Sequence, residues 1–135
     1  MAAQKGNLVI LKIGDGGGSE IFTIIGGMLN TGFELNNTIV DVTNKSSGKW
    51  REVLSGAGTS RIKIEGQGIF LDSVSEELLR SKAFDGVTWN YELTFGNGNI
   101  LSGPFIISTY ERSGEVSSEE IFSIGLESAG AVSFV

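Results

Sequence analysis

The 135-residue chain contains no cysteine and no histidine, and a single proline, Pro104. Without cysteine there can be no disulfide, no thiolate nucleophile and no thiolate metal ligand; without histidine there is no imidazole ligand or base. Any proton transfer would fall to carboxylates, lysines or tyrosines. Long hydrophobic runs are also missing. The opening Met-Ala-Ala-Gln-Lys leads into Leu8–Ile13, an apolar stretch too short for a signal peptide and interrupted by Lys12. Nothing approaches the ~20 apolar residues of a membrane span. The expectation is a protein made and used in the cytoplasm, without membrane contact.

Glycine is what the chain has in excess, at 20 residues, roughly twice the usual ~7% share. Spread along the chain rather than clustered, these glycines suit a β protein with many tight turns, some requiring positive φ. Forty per cent of residues are apolar, which argues against disorder, and the length fits one domain spanning 1–135. The net charge of −6 is uneven: residues 1–67 carry +1 and residues 68–135 carry −7. An acidic chain is ill suited to tight nucleic-acid binding, which draws on Lys and Arg against phosphate.

Strict alternation of apolar and polar residues dominates, as half-buried strands require. It runs through Arg61–Gln67, with Ile62 and Ile64 on one side. It recurs in Val87, Trp89, Tyr91, Leu93 and Phe95, in Phe122, Ile124 and Leu126, and in Val132 and Phe134. Leu8–Ile13 and Ile21–Ile25 flank a glycine-rich loop and predict a hairpin. Phe33–Leu35 and Ile39–Thr43 bracket Asn36-Asn37, a second turn signal. Asn97-Gly98 predicts a hairpin between Phe95 and a return strand Ile100–Tyr110, in which Pro104 marks an edge or a bulge. One helix is expected at about residues 73–84. Ser73 and Glu76 read as a capping box, Val74, Leu78, Leu79, Ala83 and Phe84 form an apolar stripe, and Asp85-Gly86 stops it. The predicted fold is mainly β: an antiparallel sheet with one flanking helix.

Between about 44 and 58 the alternation lapses into a polar, basic, Gly/Ser-rich stretch holding one large aromatic, Trp50. Loops this long in a compact domain carry function or are disordered, so this is the first candidate binding surface. Trp50 amid Lys45, Lys49 and Arg51 suits a protein-interface anchor or a tryptophan folded back on its own domain; base stacking fits the acidic background less well.

Other motifs carry less chemistry. Gly14–Ser19 follows a strand as a phosphate loop would, but a strand rather than a helix follows it and no Gly-Lys-Ser/Thr is present, so it reads as a turn. Glu76/Glu77 and Glu119/Glu120 are adjacent pairs that read as solvated charge, not as carboxylates facing across a glycosidic bond. Asp41, Thr43 and Asn44 lack a full calcium-loop signature and read as a turn cap. Neither an enzyme active site nor a cofactor or metal site is expected.

The run Val40-Asp41-Val42-Thr43-Asn44-Lys45 through Gly58 resembles the most characteristic stretch of the major tail protein family, the tail tube subunits of long non-contractile phage tails and gene transfer agents. Gly66-Gln67-Gly68-Ile69-Phe70, the ending Leu126-Glu127-Ser128-Ala129-Gly130-Ala131-Val132 and the early Ile21–Gly27 are similar to that family in the same order. The resemblance implies a β-sandwich or barrel-like subunit that closes into hexameric rings and stacks into a channel through which DNA passes without specific binding. It implies residence in a phage or gene-transfer-agent tail assembled in the bacterial host cytoplasm. Implied partners are other copies of the chain and the tape-measure, tail terminator and baseplate or distal tail proteins. Two expectations follow for residues. Asn44, Lys45, Lys49, Trp50 and Arg51 would contact an adjacent ring. Some of Glu92, Glu111, Glu115 and Glu127 would line the channel and repel phosphate. Rival readings are the tube protein of a contractile injection system, a monomeric carbohydrate-binding β-sandwich and a carboxylate hydrolase.

Overall fold

The computed structural model describes Ala3 and residues 9–135; Leu8, the start of the first apolar run, lies outside the described residues. Among the described residues the strands are β1 (Ile10–Gly14), β2 (Phe22–Ile24), β3 (Met28–Asn37), β4 (Ser60–Ile69), β5 (Trp89–Thr94), β6 (Ile100–Ser113), β7 (Ile121–Ser128) and β8 (Ser133–Phe134). The helix α1 is Val74–Asp85. The strands form one antiparallel sheet in the order β2-β1-β5-β6-β7-β4-β3, with β8 pairing β6 off that path.

Strands β2 and β3 are joined by only Ile25–Gly27 yet stand at opposite ends of the sheet order, so the sheet must curl until its ends approach. The linker bonds to both sides of the closure. The Ile25 amide donates to the Leu11 carbonyl at 3.0 Å, and the Gly27 carbonyl accepts from the Ile69 amide at 2.8 Å. Gly27 takes a φ of +81°, and a Cβ there would lie 2.2 Å from the Ile69 carbonyl oxygen, so only glycine fits.

The interior of the curl is the core: Leu11, Ile13, Ile64, Tyr91, Leu93, Leu101, Phe105, Phe122, Ile124 and Leu126 are buried, with Leu79 of α1 sealing one side. Burying each of these larger side chains is worth ~1.5–3 kcal/mol. The predicted alternation therefore places the right residues inside in β4, β5 and β7. Val87 is the exception, lying outside β5 and exposed.

Strand β6 is long because it serves two sets of neighbours. Its first half, Ile100–Phe105, pairs β5 on one side. On the other, β7 pairs Phe105–Ser113 and β8 continues along Leu101 and Ser102. β7 and β8 thus read as one strand interrupted at residues 129–132. Ile100 exchanges both amide bonds with Val135, which turns the even-numbered amides of this half towards that interruption. Pro104, with no amide to donate, sits opposite the break, on a locally unpaired margin of the kind expected of proline, whereas the register shift of the β6–β7 ladder falls further on, between Ile107 and Thr109.

Two turn predictions have different outcomes. Gly98 at φ +92° makes the β5–β6 hairpin, closed by bonds between Phe95 and both Asn99 and Gly98. Asn36-Asn37, by contrast, is not a turn. Both residues are ladder partners of Arg61 and Ser60. Long-range pairing with β4 overrides the local turn preference of Asn-Asn.

Helix α1 is capped by the Ser73 hydroxyl, which accepts from the Glu76 amide at 3.3 Å, and ends on Gly86 in the left-handed conformation. The anticipated apolar stripe is only partly inward. Leu79 is buried and Leu78 and Ala83 half-buried, but Val74 and Phe84 are 83% and 81% exposed. The Glu76 carboxylate does not cap the helix and is not solvated; it is 2% exposed and turned towards β6. There its Oε1 accepts from the Tyr110 hydroxyl, and Arg80 Nη1 lies 3.3 Å from its Oε2.

Candidate assembly surfaces

The stretch expected to be a loose loop at 44–58 is the tip of an arm. Beyond Asn37 and Ser60 the β3–β4 ladder continues irregularly. Thr38 N–H donates to Thr59 O (2.7 Å), Leu54 N–H to Val40 O (2.8 Å) and Val42 N–H to Glu52 O (3.0 Å), around a bridge between Asp41 and Val53. Asp41 caps the turn out of this ladder by accepting from the Thr43 amide at 2.8 Å, the role read for it in the sequence. The Thr43 hydroxyl and amide hold its carboxyl below the ordinary aspartate range, with Arg51 adding to the effect. Asn44 then caps a single 3-10 turn, Lys45–Ser47.

Almost all of residues 32–61 are exposed. Apolar side chains are therefore left bare along the arm, including Leu35, Ile39, Leu54 and Trp50, the last 72% exposed. Trp50 is not folded back on its own domain; the Nζ of the adjacent Lys49 lies 5.6 Å from its ring centroid. So many large apolar side chains exposed on one segment suit a surface that meets a partner.

Two strand edges are also open among the described residues. β3 has β4 on one side and no strand on the other, over ten residues. The second half of β6, residues 106–113, has β7 on one side and no strand on the other. A small cavity of about 210 Å³ lies there between Ala83 and Phe84 of α1 and Ile107–Tyr110. Open edges of this length are templates for pairing with another chain.

The four strands between these edges, β3-β4-β7-β6, turn a polar face outward. Register places Glu34, Lys63 and Glu127 in one row, Glu65 and Gly125 in the next, and Gln67, Ser123 and Glu111 in a third. A shallow groove of about 670 Å³ runs across this face. Lys63 Nζ is paired with Glu65 at 2.8 Å, and this contact, helped by Glu127 and Glu34, raises the lysine pKa. Of the four carboxylates singled out in the sequence, the structure brings Glu111 and Glu127 together here. Glu92 lies on β5 opposite Lys12 and Ser102, and Glu115 lies in the β6–β7 loop. Glu34 and Glu65 share the face and were missed. Glu65 stands on the charged side of a recognised alternation, but only the register shows what it faces.

The glycine-rich segment 14–19 is a turn between β1 and β2, as its sequence reads. It lies over Trp89, whose indole N–H donates to Gly14 O at 2.7 Å while Lys82 stacks on the ring at 3.7 Å. Asp15 holds the turn through the amides of Gly17 and Ile21, which lower its pKa.

Two open sheet edges and a bare arm suit pairing with other chains, and the comparisons with known proteins say which family has this fold. Residues 3–134 match the family model described as phage tail tube protein. The chain is 36% identical to a protein in the tail of an empty gene transfer agent particle refined with C6 symmetry, covering 98% of this chain and 99% of that one at a TM-score of 0.90. It is 34% identical to one from the virion of a native gene transfer agent particle, over 98% and 99% of the two chains, at 0.88. The SPP1 tail tube shares the fold at 16% identity and a TM-score of 0.74, over 98% of this chain and 78% of that one. None of the curated proteins matches. The chain belongs to the phage tail tube protein family, and its function is that of a structural tube subunit.

Proposed function

We propose that this chain is a single tail tube domain whose copies join laterally into rings, six to a ring as in the C6 relative, and that the rings stack into a tube. The observation that carries the reading is the pair of open edges flanking β3-β4-β7-β6. Pairing β3 of one subunit with residues 106–113 of β6 in the next would continue the sheet, and a rotation that closes leaves no edge free. The outward face of those strands would then line the channel with Glu34, Glu65, Glu111 and Glu127. These carboxylates repel phosphate at distances within a Debye length of ~8–10 Å, so that DNA slides without binding. Glu92 and Glu115 lie off this face and would contribute little.

Asn44, Lys45, Lys49, Trp50 and Arg51, at the arm tip, reach an adjacent ring. Head-to-tail stacking has no intrinsic end, so tape-measure, terminator and baseplate or distal tail proteins would set where the tube starts and stops. The chain's work is structural rather than catalytic, in a phage or gene-transfer-agent tail assembled in the host cytoplasm. Negative-stain electron microscopy of concentrated protein should show rings or tubes. Protein that stays monomeric at high concentration, even with its tail-tip partners added, would overturn the proposal.

A further inference from the structure

We infer that the β6–β7 loop, Gly114–Glu120, together with the β4–α1 link at Leu71–Val74, is the seat that receives the arm of a copy in the next ring. This rests on the reading of the arm as a stacking element and names the surface it meets. Register sets the geometry. The arm grows from the end of the four-stranded face where Asn37 pairs Ser60, and the loop closes the opposite end, where Ile69 and Ser113 both pair Ile121. Simple head-to-tail translation of one subunit onto another brings the first end to the second. The arm has reach for this, since Thr38–Thr43 alone extend it ~20 Å past the regular ladder at ~3.3 Å per residue.

The chemistry of the two ends is complementary. At the seat, Leu71, Val74, Val116 and Ile121 are exposed apolar side chains that suit Trp50 and Leu54 on the arm. Around it Asp72, Glu77, Glu115 and Glu119 are exposed and, among the described residues, form no ion pair. Two cations of α1 and β6 are already engaged: Arg80 lies against Glu76, and Arg112 binds Glu120 at 2.6 Å. Lys45 and Lys49 at the arm tip form no ion pair among the described residues either. The seat is also held in shape before any partner arrives. Phe70 N–H donates to Glu120 O at 2.8 Å, and the Arg112 guanidinium stacks 3.8 Å from the Phe70 ring centroid. A preorganised, acidic, apolar-centred surface facing a basic, apolar-tipped arm is a heterologous contact that repeats along one axis.

Because the chain has no cysteine, disulfide trapping tests this cleanly. Ser46 at the arm tip and Ser117 in the loop are near-isosteric sites for cysteine. Tubes of the doubly substituted Ser46→Cys/Ser117→Cys chain, mildly oxidised, should run as a disulfide-linked ladder on a non-reducing gel. The same chain kept unassembled should not, and neither should tubes of Ser46→Cys/Ser81→Cys, whose second site lies on α1. A ladder from the Ser81 chain and none from the Ser117 chain would overturn the seat while leaving the arm as an inter-ring contact. No ladder from either, with Trp50→Ala tubes of normal length, would remove the arm reading and the seat together. Charge reversal gives a second readout. Lys45→Glu/Lys49→Glu should shorten tubes several-fold, and adding Glu115→Lys/Glu119→Lys should restore their length; failure to restore would overturn the charge match.

Discussion

Truncating Trp50 to alanine isolates the arm's contribution to assembly from its contribution to folding. In the free subunit the indole is 72% exposed and meets little besides Lys49, so the substitution should leave the urea midpoint of the unassembled protein within experimental error. In the tube the indole would be covered. Tryptophan buries 150–250 Å² when enclosed, so roughly 150 Å² is available to be removed from water. At ~25 cal/mol per Å² that corresponds to ~4 kcal/mol as an upper figure. Immobilising the side chain offsets ~1 kcal/mol of it, leaving ~2–3 kcal/mol per contact. A loss of that size weakens each inter-ring contact ~30–150-fold. Rings add as units, so the deficits multiply around the ring and elongation should stop at single rings or short stacks. Sedimentation of assembled from free protein across a concentration series measures the critical concentration directly. A value within twofold of wild type, with tubes of normal length, would refute the reasoning.

Three further outcomes concern the subunit itself. Tyr110→Phe removes the hydroxyl that donates to the buried Glu76 carboxylate, so urea unfolding should show ~1.5–3 kcal/mol lower stability, and no change would mean that the contact is idle. Both tyrosines resist ionisation: burial is the main cause in each, raising Tyr110 from 10.0 to about 12 and Tyr91 further. Because the folded pKa lies above the unfolded one, stability is fully present below pH 10 and is lost as pH rises through the folded values. Phenolate absorbance should therefore appear together with unfolding, and a simple titration near pH 10 in folded protein would contradict this. Gly68→Ala would put a Cβ 2.3 Å from the Gly27 carbonyl oxygen and 2.7 Å from Met28 Cα, backbone that can yield only by shifting the closure. A loss of ~1–3 kcal/mol in thermal or urea unfolding is expected, and a neutral result would show that the linker moves freely.

What could be read from the residues depended on how local the deciding contact was. Alternation in β4, β5 and β7, the stop at Gly86 and the Asn-Gly hairpin all depend on neighbours a few positions away. Each is visible in the string of letters. Glu76 was not, because Ser73-x-x-Glu76 satisfies a capping pattern. What draws the carboxylate inward is a hydroxyl on β6, 34 residues downstream. Asn36-Asn37 failed for the same reason, since pairing with Arg61 and Ser60 outweighs their own turn preference. The basic segment at 44–58 is exposed, but its place at the end of a ladder could not be read, because its bonds skip positions and leave no alternation behind. Grouping the carboxylates needed the register of four strands, which is why Glu34 and Glu65 joined Glu111 and Glu127 only in three dimensions.

Strand β3 has two duties that are usually given to separate parts. Its outer margin is the open edge that the proposed assembly pairs with a lateral neighbour, and its far end runs on into the irregular ladder of the arm. A stiff hydrogen-bonded ribbon carries displacement along its length, so a push at the tip moves the margin and a twist at the margin moves the tip. On the proposed assembly, sideways and lengthwise joints in the polymer would therefore share one mechanical element, and a disturbance arriving at one end of the tube would have a covalent route from each ring to the next contact.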